Sequence, residues 1–401
     1  MKTSQAFKTL LLYRIGATLS YQIMMVAVGW HIYEITNSVV SLGLIGLAEL
    51  IPYFALALYA GHAVDRHSRK WIAAIACGFH IAVALFLVAI ALDWLTPPVP
   101  LIYTAVAFLG LARALLRPSY QAIFGQIIPR DQMPRYTAYA SSAFQICVVA
   151  GPGLGGLMIG FAGLEWAYVM AAFSGAVGLY GVSFIHIKHE QPEGVSNDFL
   201  KSFFEGFNYV RKHDLIVGIM LLDMFAVLFG GAVSILPAFV REVLNAGPET
   251  LGILRAAPAA GAVITGLYLA RRPLLEDSGK HLFLSVGGFG IAIIAFGLSN
   301  NLWLAALFLF ISGCCDSISV VIRGSIMQLT TPDQMRGRIS AINGIFIGSS
   351  NELGALESGV AASLLGLVPS IVFGGVATIL VVLLTYQLAP QLRKLNLKDL
   401  T

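Results

Sequence analysis

The sequence is poor in charged side chains, which account for only 11% of its 401 residues. Soluble domains carry roughly 25% charged residues, so this scarcity excludes a soluble globular protein. Hydrophobic residues make up 57% of the chain. They form long runs of about 20 residues or more, which is the length that a helix needs to cross a hydrocarbon core of roughly 30 Å. We therefore expect an all-α integral membrane protein.

Several kinds of site are also missing from the sequence. The four cysteines form neither a C-x-x-C pair nor a cluster with histidine, and all four lie inside predicted spans: Cys77, Cys147, Cys314 and Cys315. We therefore expect no metal site. A phosphate-binding Gly-x-x-x-x-Gly-Lys-Ser/Thr loop is absent, which argues against an ATP-driven pump. Because no clustered nucleophile and base are visible either, we expect a protein that is not an enzyme and has no cofactor.

Hydropathy predicts twelve membrane spans. Their approximate limits are 9–33, 40–62, 71–94, 100–125, 135–162, 166–187, 214–241, 250–272, 281–299, 302–328, 339–366 and 369–389. No small-residue cleavage site follows the first span, so it is predicted to be retained. Of the 25 Lys and Arg residues, 19 lie in or beside the two tails and alternate loops. This asymmetry predicts cytoplasmic termini, and it makes the net charge of +4 a topology signal rather than evidence of nucleic-acid binding.

The two halves of the chain follow one plan. The triplet Asp-Gln-Met occurs at 131–133 and again at 333–335, after spans 4 and 10 respectively. This spacing of about half the chain indicates a parallel duplication, an architecture found in secondary transporters. We expect an N-terminal bundle over 1–187, a cytoplasmic linker with an amphipathic helix over 188–213, and a C-terminal bundle with a short tail over 214–401.

Two motifs resemble those of the major facilitator superfamily. The loop "AGHAVDRHSRK" (60–70) is similar to the superfamily's loop signature, through Gly61, Asp65, Arg66, Arg69 and Lys70. The segment "CVVAGPGLGG" (147–156) resembles the Gly-Pro-x-x-Gly-Gly motif of its antiporters, through Gly151, Pro152, Gly155 and Gly156, although Cys147 replaces the leading glycine. The resemblance implies twelve helices in two six-helix pseudo-symmetric bundles, with these residues in gating. Within the superfamily, the sequence most resembles the enterobactin-exporter group, which is related to bacterial multidrug efflux proteins. The alternatives are a merely positive loop and glycines that only pack helices.

Charged residues inside the spans are the candidate binding residues. The resemblance implies that spans 1, 4, 7 and 10 line a central cavity. Arg113 and Arg117 are one helical turn apart on span 4, and Asp316 and Arg323 lie on span 10. An arginine at the centre of a span costs about 2.5–3.5 kcal/mol, so these residues should face water. Their guanidinium groups suit carboxylate, catecholate or phosphate groups. The alternative is that they pair with acids and only hold helices together. Further predicted wall groups are Gln22, Trp30, Gln145 and Asn343.

Proton coupling requires an acid that is neutral in one state of the cycle. The candidates are Glu49, Asp223, Asp316, Glu352 and Glu357, with Glu49 expected to face Glu352. We expect a monomeric, multi-pass transporter of the bacterial inner membrane. It would export a small, anionic, siderophore-like molecule by proton antiport, with the lipid bilayer and protons as its other partners. A broad multidrug antiporter and a proton-coupled importer are the alternatives.

Overall fold

The computed structural model describes residues 3–185, 187, 199–272, 274–332 and 335–400, which are helical without any strand. The helices are α1 (Thr3–Thr36), α2 (Val39–Arg66), α3 (Arg69–Ala91), α4 (Pro98–Ile127), α5 (Met133–Ala162), α6 (Leu164–Ser183), α7 (Phe199–Arg211), α8 (Asp214–Phe229), α9 (Leu236–Glu242), α10 (Pro248–Arg271), α11 (Ser278–Gly297), α12 (Leu302–Thr330), α13 (Arg336–Leu365), α14 (Leu367–Leu388) and α15 (Pro390–Arg393). The expected all-α membrane architecture is confirmed.

Eleven of the described helical segments are long and apolar enough to span a membrane, and α8 with α9 forms one of them. The predicted span at 339–366 is not among the eleven. It corresponds to α13, which has 30 residues and is therefore long enough to cross a bilayer. Its polar and charged residues, including Glu352 and Glu357, lower its hydropathy. The finding is compatible with twelve spans, because α13 fails on composition and not on length.

The chain separates into two compact units. Unit 1 comprises residues 1–37, 47–195 and 246–256, and unit 2 comprises 38–46, 196–245 and 257–401. The first turns of α10 thus belong to unit 1, and the first turns of α2 belong to unit 2. Each unit therefore contains one helix segment that is far in sequence from the other residues of that unit.

Two one-residue turns reflect the duplication of the sequence. Gly163 joins α5 to α6 with φ of 109°, and Gly366 joins α13 to α14 with φ of 93°. Residues with a Cβ rarely adopt such values, so each turn requires glycine. The two glycines are 203 residues apart, which is almost the spacing of the Asp-Gln-Met triplets. Each unit therefore reverses direction in the same way at equivalent positions.

Close helix packing in unit 1 depends on small residues. Gly16 of α1 lies directly against the backbone of Gly178 in α6, and Gly181 lies against the backbone of Tyr13. Dispersion contacts and backbone proximity stabilise such interfaces in membranes, where burial adds little driving force between helices. The result is a tightly packed α1–α6 pair from which the polar residues of α1 project.

Unit 2 includes α7, the helix expected in the linker. Val210 is buried in the core of the unit, whereas Phe204 and Phe207 are exposed. Glu205 forms an ion pair of 2.5 Å with Arg338 of α13. One face of α7 is therefore fixed to unit 2 while two phenylalanines point away from it. The side chains of Phe199 and Phe203 of this helix lie outside the described residues.

Candidate functional site

The first polar cluster of unit 1 is centred on Glu49 of α2, which has 0% exposure. Arg113 Nη1 of α4 donates to Glu49 Oε1 at 2.7 Å, and the Tyr21 hydroxyl of α1 donates to the same oxygen at 2.8 Å. Gly110 lies one turn before Arg113, against the backbone carbonyl of Glu49, where a side chain would clash. This glycine lets α2 and α4 approach closely enough to form the pair. The charge of Arg113 is thus balanced within unit 1, as the structural alternative predicts.

The second polar cluster of unit 1 contains Arg14 of α1 and Arg117 of α4. The Arg14 guanidinium carbon lies 4.2 Å from the ring centre of Tyr120 and 4.7 Å from that of Phe144. Arg14 Nε and the Tyr120 hydroxyl are buried without a hydrogen-bond partner among the described residues. Arg117 is exposed. Arg113 and Arg117 therefore differ, although both lie on one face of α4.

Unit 2 places Arg323 of α12 in a buried ion pair. Its Nη1 contacts Asp223 Oδ2 of α8, and the two side chains are 8% and 10% exposed. Arg323 Nε also donates to the Ser319 hydroxyl at 3.0 Å. Asp316 is half-buried and lies within electrostatic range of both Arg323 and Asp223. The structure thus assigns Arg323 to an acid on another helix and leaves Asp316 beside the pair.

The other predicted wall and proton-coupling residues are distributed over both units. In unit 1 the side chain of Gln22 packs against Gly151, and Trp30 is 8% exposed. In unit 2 Glu352 lies beside Gly46. The half-buried residues of this group are Gln22, Gln145, Asn343, Glu352 and Glu357. The expected approach of Glu49 to Glu352 involves two units and stays a prediction.

The predicted gating loop is described only in part. The backbone of α2 continues to Arg66, but the surroundings of Gly61 and the side chains of Asp65 and Arg66 are not among the described features. Arg69 Nη1 donates to the Ala122 carbonyl at 3.3 Å, and Lys70 Nζ donates to the Ser183 carbonyl at 2.7 Å. Ser183 is the last residue of α6, where a positive charge is favourable.

The glycine motif of α5 packs against two other helices of unit 1. Gly155 faces Ile23 of α1, whereas Gly156 and the carbonyl of Pro152 face Gly252 near the start of α10. A Cβ on Gly156 would lie 2.6 Å from the Gly252 Cα. The motif therefore permits backbone-to-backbone contact between α5 and α10.

A protein family described as transmembrane secretion effector matches residues 2–401 of the sequence. The chain belongs to this family. It is a multi-pass membrane transporter of the major facilitator type, as the resemblance of the two motifs implies. One relative of this secretion effector, the enterobactin exporter EntS of Escherichia coli O1:K1 / APEC, is 26% identical over 373 residues, or 90% of this chain and 88% of the relative.

Solved structures share the fold of this secretion effector at low sequence identity. The nucleoside transporter NupG gives a TM-score of 0.76 at 13% identity, with 96% of this chain and 100% of NupG covered. A bacterial homolog of the human lysosomal transporter Spinster, in an inward-facing and unoccupied conformation, gives 0.75 at 16% identity, with coverage of 99% and 98%. These likenesses concern the fold alone.

Sequence reasoning missed three members of these clusters. Nothing in the sequence marks Tyr21 as a donor to Glu49, because any tyrosine in a span would look the same. Arg14 is visible as an arginine inside a span, and that signal could have assigned it to the site. Tyr120 could have been found with it, since it lies one turn after Arg117 and therefore on the same face of α4.

Proposed function

We propose that this secretion effector exports a small anionic organic molecule of the siderophore class across the bacterial inner membrane, in exchange for protons. The observation that carries the proposal is the distribution of charged residues inside the predicted spans, leaving out those at the span ends such as Asp93 and Arg241. Unit 1 holds one such acid, Glu49, and four arginines: Arg14, Arg113, Arg117 and Arg255. Unit 2 holds one arginine, Arg323, and four acids: Asp223, Asp316, Glu352 and Glu357. An excess of guanidinium groups in hydrated surroundings attracts anions.

Unit 2 provides the acids for proton transfer in this proposal. Asp223 already forms an ion pair with Arg323. Asp316 has no cation within ion-pair distance among the described residues, yet it lies close to the pair of Arg323 with Asp223. A negative charge on Asp316 would compete with Asp223 for Arg323, and a proton on Asp316 would end this competition. We therefore assign the transported proton to Asp316.

The relatives support the choice of cargo. Relatives named enterobactin exporters are similar to 90% of this chain, and this similarity favours a cargo of the siderophore class. The excess of arginines in unit 1 agrees with an anionic cargo and speaks against a purely cationic drug. Both termini are assigned to the cytoplasm, because the basic residues concentrate in the tails and the loops on that side.

The cargo is tested by comparing the medium of wild-type and deletion cells under iron limitation. We expect siderophore in the medium to fall in the deletion strain and to return with the gene on a plasmid. Unchanged siderophore secretion would contradict the proposed cargo. Loss of resistance to several unrelated drugs in the deletion strain would favour multidrug efflux instead.

Coupling is tested in everted vesicles with an imposed pH gradient. Addition of cargo should release protons from the acidified lumen, and Asp316→Asn should abolish this release while cargo exchange continues. Glu357→Gln is the matched control, since Glu357 is another half-buried acid of unit 2, and it should retain coupling. Proton movement together with the cargo would indicate an importer, and normal coupling in Asp316→Asn would exclude this residue as the proton carrier.

A further inference from the structure

Two arginines of unit 1, Arg14 and Arg117, lie at the same depth and have no ion-pair partner among the residues that the structure describes. Arg14 is 11 residues after the start of α1, and Arg117 is 10 residues before the end of α4. At about 1.5 Å per residue, both lie roughly 15–17 Å from the helix ends that the basic residues assign to the cytoplasm. Neither contacts a carboxylate among the described residues, in contrast to Arg113 and its pair with Glu49. Two uncompensated positive charges therefore face each other from neighbouring helices.

Aromatic rings hold Arg14 in place without neutralising it. Its guanidinium group lies between the rings of Tyr120 and Phe144, at 4.2 and 4.7 Å. Stacking on two rings fixes the guanidinium plane and leaves its N–H edge available to an oxyanion. The Tyr120 hydroxyl lies next to the Arg14 guanidinium group, and neither this hydroxyl nor Arg14 Nε has an acidic partner among the described residues. Tyr120 itself is 8% exposed. Buried polar groups are rarely left unpaired, and an oxyanion beside them could accept from both the guanidinium group and the hydroxyl.

Further aromatic side chains extend from this cluster toward the start of α5. Phe7 of α1 contacts Tyr136 with ring centres 4.6 Å apart, and Tyr139 lies 6.5 Å from Phe7. The guanidinium carbon of Arg135 lies 5.7 Å from the ring centre of Tyr139. Arginines and aromatic rings thus lie together near the starts of α1 and α5 as well as around Arg14. This combination suits a ligand that is both anionic and aromatic.

We infer that Arg14, Arg117, Tyr120 and Phe144 bind an aromatic carboxylate or phenolate. The oxyanion accepts from the two guanidinium groups and from the Tyr120 hydroxyl, and the ring of the ligand packs on Phe144, which is 37% exposed. Exposure of Arg117 to lipid tails would be unfavourable, so this guanidinium must meet water or an anion. Binding at this site does not depend on the proposed function. The statement that the bound ligand is the transported cargo rests on the proposed function.

Binding is measured by equilibrium dialysis of the full-length protein in phosphatidylcholine nanodiscs, with radiolabelled benzoate as the probe. We expect Arg14→Gln and Arg117→Gln each to weaken benzoate binding by about tenfold or more, because each removes a charge-assisted contact. Tyr120→Phe, which removes only the hydroxyl group, should weaken it less. Arg130→Gln is the matched control, as it removes an exposed arginine of the turn before α5, and benzoate binding should be unchanged.

The preference for an aromatic ligand is tested by comparing benzoate with cyclohexanecarboxylate. Cyclohexanecarboxylate has the same charge and nearly the same size as benzoate but has no π system. The wild type should prefer benzoate, and Phe144→Leu should reduce this preference while both acids still bind. Equal binding of the two acids, or equally strong binding of inorganic phosphate, would overturn the assignment of an aromatic ligand.

Anionic lipid offers the same oxyanion chemistry as the proposed ligand. If phosphatidylglycerol in the nanodiscs suppresses benzoate binding to the wild type, the arginines hold a lipid headgroup and the inference is wrong. Normal benzoate binding by Arg14→Gln with Arg117→Gln would also overturn it. Two measurements separate the two proposals: benzoate binding by the variants and siderophore secretion by deletion cells. If the variants lose benzoate binding but deletion cells secrete siderophore normally, the binding site stands and the proposed function is wrong. If both variants bind benzoate normally but deletion cells lose secretion, the proposed function stands and the binding site is wrong.

Discussion

Arginines inside the spans differ between the two units in their burial and in their ion pairing. In unit 2, Arg323 lies almost fully buried against Asp223 and Ser319. In unit 1, Arg113 is paired with Glu49 but its side chain keeps 33% exposure, while Arg14 contacts aromatic rings. A buried and fully paired arginine is typical of a structural role, because its donors are already satisfied. Arginines with free donors can instead bind a ligand. The comparison therefore assigns structure and proton transfer to unit 2, and anion binding to unit 1.

The largest effect is expected from breaking the buried pair of unit 2. Asp223→Asn would remove the ion-pair partner of the buried Arg323, and breaking a buried pair by removing one partner costs about 3–5 kcal/mol. We expect a clear fall in the thermal unfolding midpoint of the purified protein in detergent. Glu49→Gln should lower the midpoint less, since water reaches Arg113 and can solvate the released charge.

The double variant Asp223→Leu with Arg323→Met tests the cause of this effect. Removal of both charges avoids the unpaired arginine, so the double variant should be more stable than Asp223→Asn alone. Equal unfolding midpoints for Asp223→Asn and Glu49→Gln would contradict the difference between the units.

An intermediate effect is expected at the glycine contacts of the two units. In unit 1, a Cβ on Gly156 would come within 3 Å of the backbone of α10, and in unit 2 a Cβ on Gly43 would lie 2.9 Å from the Ala355 carbonyl. Gly156→Ala should therefore force α5 and α10 apart at a cost of about 1–3 kcal/mol, with less effect for Gly43→Ala. We expect slower cargo transport per folded molecule, measured as initial rates in vesicles.

Gly153→Ala provides the control within the same motif, because nothing lies within 4 Å of a Cβ at Gly153. Its transport rate should match that of the wild type. If Gly156→Ala lowers stability but leaves the rate unchanged, the glycines only pack helices, which is the alternative that the sequence leaves open.

Much of the fold follows from the sequence, whereas the partners within the site do not. Hydropathy locates the helices, and the repeated triplet predicts a duplication with which the turns at Gly163 and Gly366 agree. The pairing of Arg113 with Glu49 depends on how α2 and α4 are rotated, and Gly110 permits this approach only after both helices pack. The seven-residue spacing predicts that Asp316 and Arg323 share a stripe. It could not show that Asp223, on another helix, takes the guanidinium group. Helical periodicity gives the face of a residue, but its contact depends on tertiary packing.

The smallest effect is expected from lysines in the first turns of α3 in unit 1 and of α11 in unit 2. Lys70 of unit 1 donates to the Ser183 carbonyl at the end of α6, whereas Lys280 of unit 2 pairs with the nearby Asp277 at 2.9 Å. Lys70→Gln removes a cation from a helix C-terminus, which is worth about 0.3–1 kcal/mol. Amides in the last turn of α6 should therefore exchange hydrogen about two- to fivefold faster, as measured by mass spectrometry. Lys280→Gln should leave this exchange unchanged, and equal exchange in both variants would show that Lys70 does not stabilise α6.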